Sequence, residues 1–201
     1  MTRPALLLLH GWGFDAHLWD ALCAALPAFP IVRWDRGYFG EKAETAIDPP
    51  FAAIGHSLGA MLLANLLPHD IPLVAINGFD RFSGDGAVPS RVVERMRTRF
   101  AEDPVAVLTE FRARCGAPPA PKEIDESRLA GDLALLGSRH IASRPSRILV
   151  LQGQNDPILP ESLRAAAFPG AERAVQAEGG HLLPISHPGW CADQIEAFLC
   201  R

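Results

Sequence analysis

One serine of the chain lies in a pattern that presents a nucleophile to open space. Residues 55–59 read Gly-His-Ser-Leu-Gly and fit Gly-x-Ser-x-Gly, in which the serine lies on a strained turn between a strand and a helix. The turn packs too tightly for side chains at the two glycine positions. The apolar run 51–54 before it is typical of a buried strand, and the run 60–67 after it is typical of a buried helix. This pattern predicts Ser57 as a nucleophile, with an ordinary glycine–serine turn as the alternative.

Two further residues could make that serine reactive. A serine hydroxyl is a weak nucleophile at neutral pH, so it needs a general base, and the base needs a carboxylate that orients it. On a strand–turn–helix scaffold the partners follow in the order serine, aspartate, histidine. Asp156 comes just after the apolar run 147–151, and His181 comes after the run 173–176. The sequence therefore predicts a Ser57–Asp156–His181 triad for acyl transfer. The alternatives are an aspartate that caps the next helix and a histidine in a glycine-made turn.

The negative oxygen formed during acyl transfer would need two preorganised N–H donors. One is the backbone N–H of Leu58, directly after the predicted nucleophile. The other is expected in residues 10–13, His-Gly-Trp-Gly, which follow the first apolar run, and we assign it to the N–H of Trp12. The glycines would let this loop approach the substrate carbonyl, whereas the alternative is a plain strand-to-helix turn. The Trp12 indole would line an acyl pocket or cover the edge of the sheet.

Three other polar residues near these motifs are interpreted as structural. His56 precedes the serine, but the turn directs its side chain away from the nucleophile, which favours a packing role. His187 is the rival general base because it follows His181 by six residues, yet it adjoins a proline-started helix and is expected near the surface. Asp35 ends a strand in a turn, where an aspartate stabilises the backbone.

Short apolar runs alternate with helical patterns along the chain, which is typical of a parallel sheet covered on both faces. Candidate strands are residues 5–9, 31–34, 51–54, 73–77, 147–151 and 173–176, and candidate helices are residues 16–26, 60–67, 160–167 and 190–199. Asp15 and Pro160 stand where a helix cap and a first-turn proline belong. Right-handed crossovers then give a doubly wound α/β fold with a mainly parallel sheet of about six strands. Its functional site is expected at the carboxyl ends of the strands.

One segment interrupts this alternation. Residues 79–142 contain no apolar strand run, but they contain helical patterns, prolines and many charges. Because the segment lies between two predicted strands, we expect it to form a helical cap above the sheet, inside a single domain that spans residues 1–201. One of its helical patterns carries an apolar stripe on one face and Arg91, Arg95 and Arg99 on another. The simplest alternative for these arginines is a solvated helix face.

The composition argues against several classes of function. A chain of 201 residues that is 48% hydrophobic can bury one substantial core. A net charge of −4 and a pI near 6.0 argue against broad nucleic-acid binding. The apolar run 5–9 is too short for a signal peptide or a membrane span. The four cysteines are scattered without metal-like spacing, as in reduced cytoplasmic proteins. We therefore expect a cytoplasmic protein that uses no metal and no cofactor and binds neither nucleic acid nor membrane.

Together these motifs resemble those of the α/β-hydrolase superfamily over nearly the whole chain. Within it, the chain is similar to the compact esterases that demethylate pimeloyl-[acyl-carrier-protein] methyl ester in biotin synthesis. The resemblance is carried by residues 8–13, by the turn 55–59 and by residues 180–188, where Gly-His is followed by Pro-Ile-Ser-His-Pro.

This resemblance implies a serine carboxylesterase and gives each candidate residue a role. Ser57 would be the nucleophile, Asp156 the acid and His181 the base, with the N–H groups of Trp12 and Leu58 as oxyanion donors. Those esterases hold an acidic carrier protein with arginines of a helical cap. The matching candidates in this chain are Arg91, Arg95, Arg97 and Arg99.

Two features depart from the longer members of the superfamily. The sheet begins directly at residues 5–9, without the usual first two strands, and residues 41–50 are too few for a full crossover helix. Related caps serve enzymes with other reactions, so thioester hydrolysis, C–C bond cleavage and elimination of a menaquinone precursor stay as alternatives. A non-catalytic ligand receptor is a further alternative, although a receptor has no need of a complete triad.

Overall fold

The computed structural model describes residues 3–48, 51–84, 86–138 and 145–200 of the chain. Its centre is a six-stranded sheet in which every strand is parallel to its neighbours, in the order β2-β1-β3-β4-β5-β6. The strands are β1 (Ala5–Leu9), β2 (Ile31–Trp34), β3 (Phe51–His56), β4 (Leu73–Ile76), β5 (Ile148–Gly153) and β6 (Glu172–Gln176). The predicted α/β fold with a parallel sheet is confirmed, and the strand ends differ from the expected ones by at most two residues.

The helices are α1 (Asp20–Ala25), α2 (Leu58–Leu66), α3 (Ser90–Glu102), α4 (Pro104–Cys115), α5 (Glu126–Ser138), α6 (Glu161–Ala166), α7 (Leu183–Ser186) and α8 (Pro188–Leu199). The predicted helix 16–26 is split into a 3-10 turn, Ala16–Trp19, and α1. Asp15 caps that turn as expected, because its carboxylate accepts the N–H of His17 at 2.9 Å. Pro160 precedes the first residue of α6 instead of lying inside it. None of the helices in the described ranges is long and apolar enough to cross a membrane.

Helices cover both faces of the sheet, which explains why its central strands are apolar throughout. Side chains alternate along β1, so that Leu7 and Leu9 pack in one core with α2, whereas Leu6 and Leu8 pack in a second core with α1 and α8. Every residue of β3 and β5 is buried. These two strands and β4 therefore form a rigid base, and the loops at their carboxyl ends are the place where side chains can be held most accurately.

The connection from β2 to β3 is short. Strand β1 lies between these two strands, so the chain must cross over it. Residues 35–48, the described part of the connection, contain no helix. Asp35 and Ala43 exchange two backbone hydrogen bonds of 2.8 and 3.0 Å, which fold the segment back on itself.

Helices α3, α4 and α5 lie between β4 and β5 in the chain, and we call them the helical insertion. Its last helix is tied to the end of β2 by Asp132, whose carboxylate accepts two hydrogen bonds from Arg36, at 2.6 and 2.7 Å. The hydroxyl of Tyr38 donates a third, at 2.5 Å. Asp132 is buried, so these bonds satisfy a charge that would otherwise be costly to bury. The end of the expected cap, residue 142, lies outside the described residues.

Candidate active site

Ser57 lies on a sharp turn between β3 and α2, with a φ of 52° in the left-handed region that non-glycine residues rarely adopt. The two flanking positions leave no space for a side chain, so only glycine fits there. A Cβ added to Gly55 would lie 2.3 Å from Ala60 Cα, and one added to Gly59 would lie 2.2 Å from the carbonyl oxygen of Leu9. The strained turn is therefore held in place by close backbone contact on both sides, and strain of this kind is characteristic of functional sites.

Asp156 and His181 are brought together from the loops after β5 and β6. His181 Nδ1 lies 2.8 Å from Asp156 Oδ2, and both side chains are buried. The second oxygen, Oδ1, accepts the N–H groups of Ile158 and Leu159 at 2.7 and 3.1 Å. Burial alone would raise the pKa of Asp156, but His181 and these two N–H donors hold that pKa below its usual value. The carboxylate therefore stays ionised and orients the imidazole so that Nδ1 donates to it.

The other ring nitrogen of His181, Nε2, is buried and has no hydrogen-bond partner within the described residues. The ring lies against the turn that carries the serine, because the ring centroids of His181 and His56 are 4.8 Å apart and His56 directly precedes Ser57. A buried, unpaired nitrogen is rare in folded proteins and calls for an explanation. Acceptance of a proton from a nucleophile is a function that this atom could serve.

Asn77, at the end of β4, was missed by the sequence reasoning, which assigned it to the strand. Its side chain is fully buried and its φ is 45°. The amide nitrogen Nδ2 donates to the carbonyl oxygens of Gly180 and His181, at 2.9 and 2.8 Å, and Oδ1 accepts the N–H of Gly153 at 2.9 Å. A signal was present, since asparagine tolerates a positive φ and ends the apolar run directly before a glycine.

The loop after β1 lies next to the serine. A Cβ added to Gly11 would lie 2.9 Å from Ser57 Cβ, so only glycine allows this approach. Leu58 is the first residue of α2, where backbone N–H groups have no acceptor inside the helix. The loop is also bonded to the helical insertion, because Trp12 Nε1 donates to the carbonyl oxygen of Leu129 at 2.8 Å and Arg112 donates to that of Gly13 at 2.7 Å. Of the two predicted oxyanion donors, Leu58 directly follows Ser57 and Trp12 directly follows the glycine that approaches it.

A cavity of about 340 Å³ lies between the helical insertion and the loops after β1 and β5. Trp12 forms part of its wall. Most lining side chains are apolar, and they include Val93, Leu133, Leu136, Met96, Phe111 and Ile158. The charged lining residues, Arg95, Arg99, Arg114 and Glu110, are all exposed, as are the apolar Pro89, Val92 and Pro160. The cavity can therefore bury an apolar chain beneath a largely cationic rim.

The structure separates the four predicted cap arginines. All four are exposed, but only Arg95 and Arg99 line the cavity. Arg99 is paired with Glu110 at 2.7 Å, and Arg97 is paired with Glu94 at 3.0 Å. Within the described residues, Arg91 and Arg95 form no salt bridge. Arg114, which the sequence reasoning did not single out, joins this rim from α4 because α4 packs against α3.

Two other histidines near the motifs, His56 and His187, have partners that fit a structural role. His56 is buried, as expected for a packing role, and it also donates from Nε2 to the carbonyl oxygen of His181 at 2.9 Å. Burial, together with the neighbouring His181, lowers the pKa of His56 to about 3, so its ring is neutral. His187 Nδ1 pairs with Ser186 Oγ at 2.9 Å instead of with Asp156. Asp35 accepts the N–H groups of Ala16 and Gly37, both at 2.7 Å, as a turn-stabilising carboxylate does.

The sequence matches the model of the alpha/beta hydrolase family over residues 6–194, and the chain belongs to that family. At the level of enzyme class, the prediction of a carboxylic ester hydrolase is confirmed.

Among curated proteins, the chain is similar to the pimeloyl-[acyl-carrier protein] methyl ester esterase of Aromatoleum aromaticum, with 29% identity and 98% of each chain covered. Among solved structures, it resembles the esterase EaEST from Exiguobacterium antarcticum, with a TM-score of 0.79 and 13% identity over 100% of this chain and 93% of the other. It also resembles MenH from S. aureus, with a TM-score of 0.71 and 14% identity over 100% and 94%. At these identities the two structures share the fold.

Proposed function

We propose that the chain is a serine carboxylesterase whose nucleophile is Ser57, whose general base is His181 and whose orienting acid is Asp156. The observation that carries this proposal is the buried Asp156–His181 hydrogen bond, which leaves Nε2 of the imidazole unpaired beside the strained turn of Ser57. An imidazole held by a carboxylate at one nitrogen and free at the other is what a serine needs in order to become a nucleophile.

The reaction follows from this arrangement. Ser57 Oγ attacks the ester carbonyl while His181 Nε2 takes its proton, and the negative oxygen is stabilised by the N–H groups of Trp12 and Leu58. His181 then gives the proton to the departing alcohol as the C–O bond breaks, which leaves an acyl-enzyme. A water molecule repeats the same steps and releases the carboxylic acid. Asp156 stays ionised throughout and stabilises the imidazolium.

The substrate proposed is the methyl ester of a pimeloyl chain carried on acyl carrier protein. Two observations support this choice. The relatives from Aromatoleum aromaticum and Legionella pneumophila are both named pimeloyl-[acyl-carrier protein] methyl ester esterase. The cavity beside Trp12 is apolar and, at about 340 Å³, lies at the small end of ligand pockets, which suits a slim acyl chain better than a bulky ring system.

The same proposal gives the exposed arginines a partner. A carrier protein that is acidic would meet the rim formed by Arg95, Arg99 and Arg114, with Arg91 and Arg97 on the same helix as the first two. Since Arg97 and Arg99 already have carboxylate partners, Arg91 and Arg95 are the arginines of α3 that are most available to a second protein. The reaction requires no cofactor, and the four free cysteines fit a cytoplasmic location.

One experiment tests the substrate directly. The purified enzyme is given methyl pimeloyl-carrier protein, the matching free methyl ester and a small aryl ester, and Ser57→Ala serves as the inactive control. We expect kcat/KM for the carrier-bound ester to exceed that of the free ester, and we expect the gene to restore biotin-free growth to a strain that lacks its own pimeloyl-ester esterase. If the enzyme hydrolyses aryl esters but gives neither of these results, the proposed pimeloyl substrate is contradicted and the esterase activity is not.

The carrier surface has its own test. Arg95→Glu should raise KM for the carrier-bound ester by about fivefold and leave the aryl ester unchanged, with a smaller effect at high salt, because rim charges act on encounter. Arg3→Glu is the matched control, since Arg3 is an exposed, ion-paired arginine next to the amino end of β1. It therefore lies at the opposite end of the strands from the proposed site. Equal effects of the two substitutions would remove the case for docking at the insertion.

A further inference from the structure

Two buried side chains hold the main chain of His181, and neither of them is hydrogen-bonded to its imidazole. Its carbonyl oxygen accepts a hydrogen bond from Asn77 Nδ2 at 2.8 Å and a second from His56 Nε2 at 2.9 Å. Both donors are fully buried. A carbonyl with two lone pairs that are both satisfied by fixed side chains cannot rotate or shift without breaking a bond.

The Asn77 side chain makes three hydrogen bonds in this place. Nδ2 donates both of its hydrogens, to the carbonyl oxygens of Gly180 and His181, and Oδ1 accepts the N–H of Gly153 at the end of β5. Its backbone N–H continues the sheet by donating to Leu151 at 2.8 Å. One side chain therefore joins the ends of β4 and β5 to the loop that carries His181.

The conformation of Asn77 shows that this linkage is maintained at a cost. Its φ of 45° is unfavourable for most residues, although asparagine tolerates it better than others do. The end of β5 and the loop that carries His181 also approach each other closely beside Asn77. A Cβ added to Gly153 would lie 2.3 Å from the carbonyl oxygen of Gly180. Strain at a buried position persists where the surroundings fix it, and it gathers at functional sites.

His56 supports the same carbonyl from the other side. Its pKa of about 3, lowered by burial and by His181, keeps the ring neutral, so it carries a single proton. That proton must lie on Nε2, because a carbonyl oxygen can only accept, and Nδ1 has no partner in the described residues. His56 thus acts as a fixed donor and not as a second base.

We propose that Asn77 is a positioning residue that, with His56 as a second donor, fixes the backbone of His181 so that its Nε2 stays aligned with Ser57. The inference rests on the proposed function, in which His181 is the general base. Proton transfer in acyl transfer depends on geometry, and a displacement of about 1 Å can lower the rate by about 10²-fold. Asp156 fixes the ring at Nδ1, and Asn77 fixes the main chain from which the ring projects.

The test uses two substitutions of Asn77 in the full-length protein. Asn77→Gly keeps the positive φ without strain and removes the side chain, whereas Asn77→Asp keeps the shape and replaces the donor by an acceptor. We expect both to lower kcat on a small aryl ester by about 10²-fold, with KM within about twofold of the wild type. Titration with a serine-directed phosphonate should still reach one site per chain. The matched control is Asn65→Asp, because the Asn65 amide donates to a backbone carbonyl in α2 at 2.9 Å, and it should keep full activity.

Three outcomes overturn the inference. Wild-type kcat in a folded Asn77 variant would show that the side chain does not position the base, and so would a loss confined to KM. If neither Asn77 variant folds, His56→Gln, which retains a donor, should be at least about tenfold more active than His56→Leu, and equal activities would count against the inference. Failure of the proposed function gives a different result. If the proposed function is wrong, Ser57→Ala keeps its activity. If only the role of Asn77 is wrong, Ser57→Ala is inactive and the Asn77 variants are not impaired.

Discussion

Two aspartate–histidine pairs lie at the carboxyl ends of strands in this molecule. Asp35, after β2, has Oδ1 3.3 Å from His10 Nε2, and Asp156, after β5, has Oδ2 2.8 Å from His181 Nδ1. Each aspartate also accepts two backbone N–H groups, and the pKa of each is lower than usual in spite of burial. By residue type, burial and local hydrogen bonding, either pair could be the acid and base of a hydrolase.

The histidines differ in what remains free. In His10, Nδ1 lies 2.9 Å from the carbonyl oxygen of Gly11 and Nε2 accepts the N–H of Arg36 at 3.0 Å, so both nitrogens are occupied. In His181, Nε2 has no partner among the described residues. An imidazole whose nitrogens are both committed to the backbone stabilises the fold, whereas one with a free nitrogen can exchange protons with a substrate. We propose that this difference separates a structural pair from a catalytic one.

A third buried histidine shows that a free nitrogen is not sufficient. His56 Nδ1 is also unpaired, but no carboxylate orients the ring, and burial with the neighbouring His181 lowers its pKa to about 3. A group that weakly basic takes a proton too poorly to activate a serine near neutral pH. In the proposed mechanism the general base therefore needs both the carboxylate and the free nitrogen.

The largest effect is expected from substitution of Asp156. Asp156→Asn should lower kcat/KM on a small aryl ester by about 10⁴-fold, because an amide no longer selects the tautomer that leaves Nε2 free. Asp35→Asn makes the same chemical change at the other pair and should cost less than about tenfold. Steady-state kinetics on the two purified variants, with circular dichroism to check folding, measure the contrast. Similar losses in both would break the distinction between the pairs.

His56 should affect how the free energy of unfolding depends on pH in mild acid. The unfolded chain protonates an ordinary histidine near pH 6.5, whereas folded His56 resists protonation down to about pH 3. Between these values the unfolded state binds more protons, so the free energy of unfolding falls as the pH falls. His56→Gln should remove up to about 1.4 kcal/mol per pH unit of that slope. Urea unfolding from pH 7 to pH 4 tests this, and an unchanged slope would mean that His56 titrates in the folded protein.

The smallest effect belongs to Asp35. Its folded pKa is about 2, since the neighbouring His10 and the backbone N–H groups of Gly37 and Ala16 outweigh burial, whereas an unfolded aspartate titrates near 3.8. Its stabilising contribution is therefore complete above about pH 4 and is lost as the pH falls toward 2. Because the side chain is still partly exposed, solvent screening limits this contribution to at most about 1 kcal/mol. The difference in free energy of unfolding between wild type and Asp35→Asn should shrink between pH 5 and pH 3. A difference that grows would contradict a folded pKa of Asp35 below its unfolded value.

The sequence alone predicts the parallel sheet and places Asp156 and His181 at strand ends in the right order, because apolar runs and glycine spacing are local signals. Asn77 could not be found in this way. Its partners Gly180 and His181 lie 103 and 104 residues further along the chain, and an asparagine that ends an apolar run resembles one more strand residue. Arg114 was missed for the same reason, since only the packing of α4 against α3 brings it beside Arg95 and Arg99.

The central claim is that Ser57 is the nucleophile of this site. The most direct measurement is labelling of the wild-type enzyme and Ser57→Ala with a serine-directed phosphonate, followed by intact mass and peptide mapping. The account predicts one adduct per wild-type chain, located on Ser57, and none on the variant. An adduct on another residue, or labelling that persists in Ser57→Ala, would contradict it.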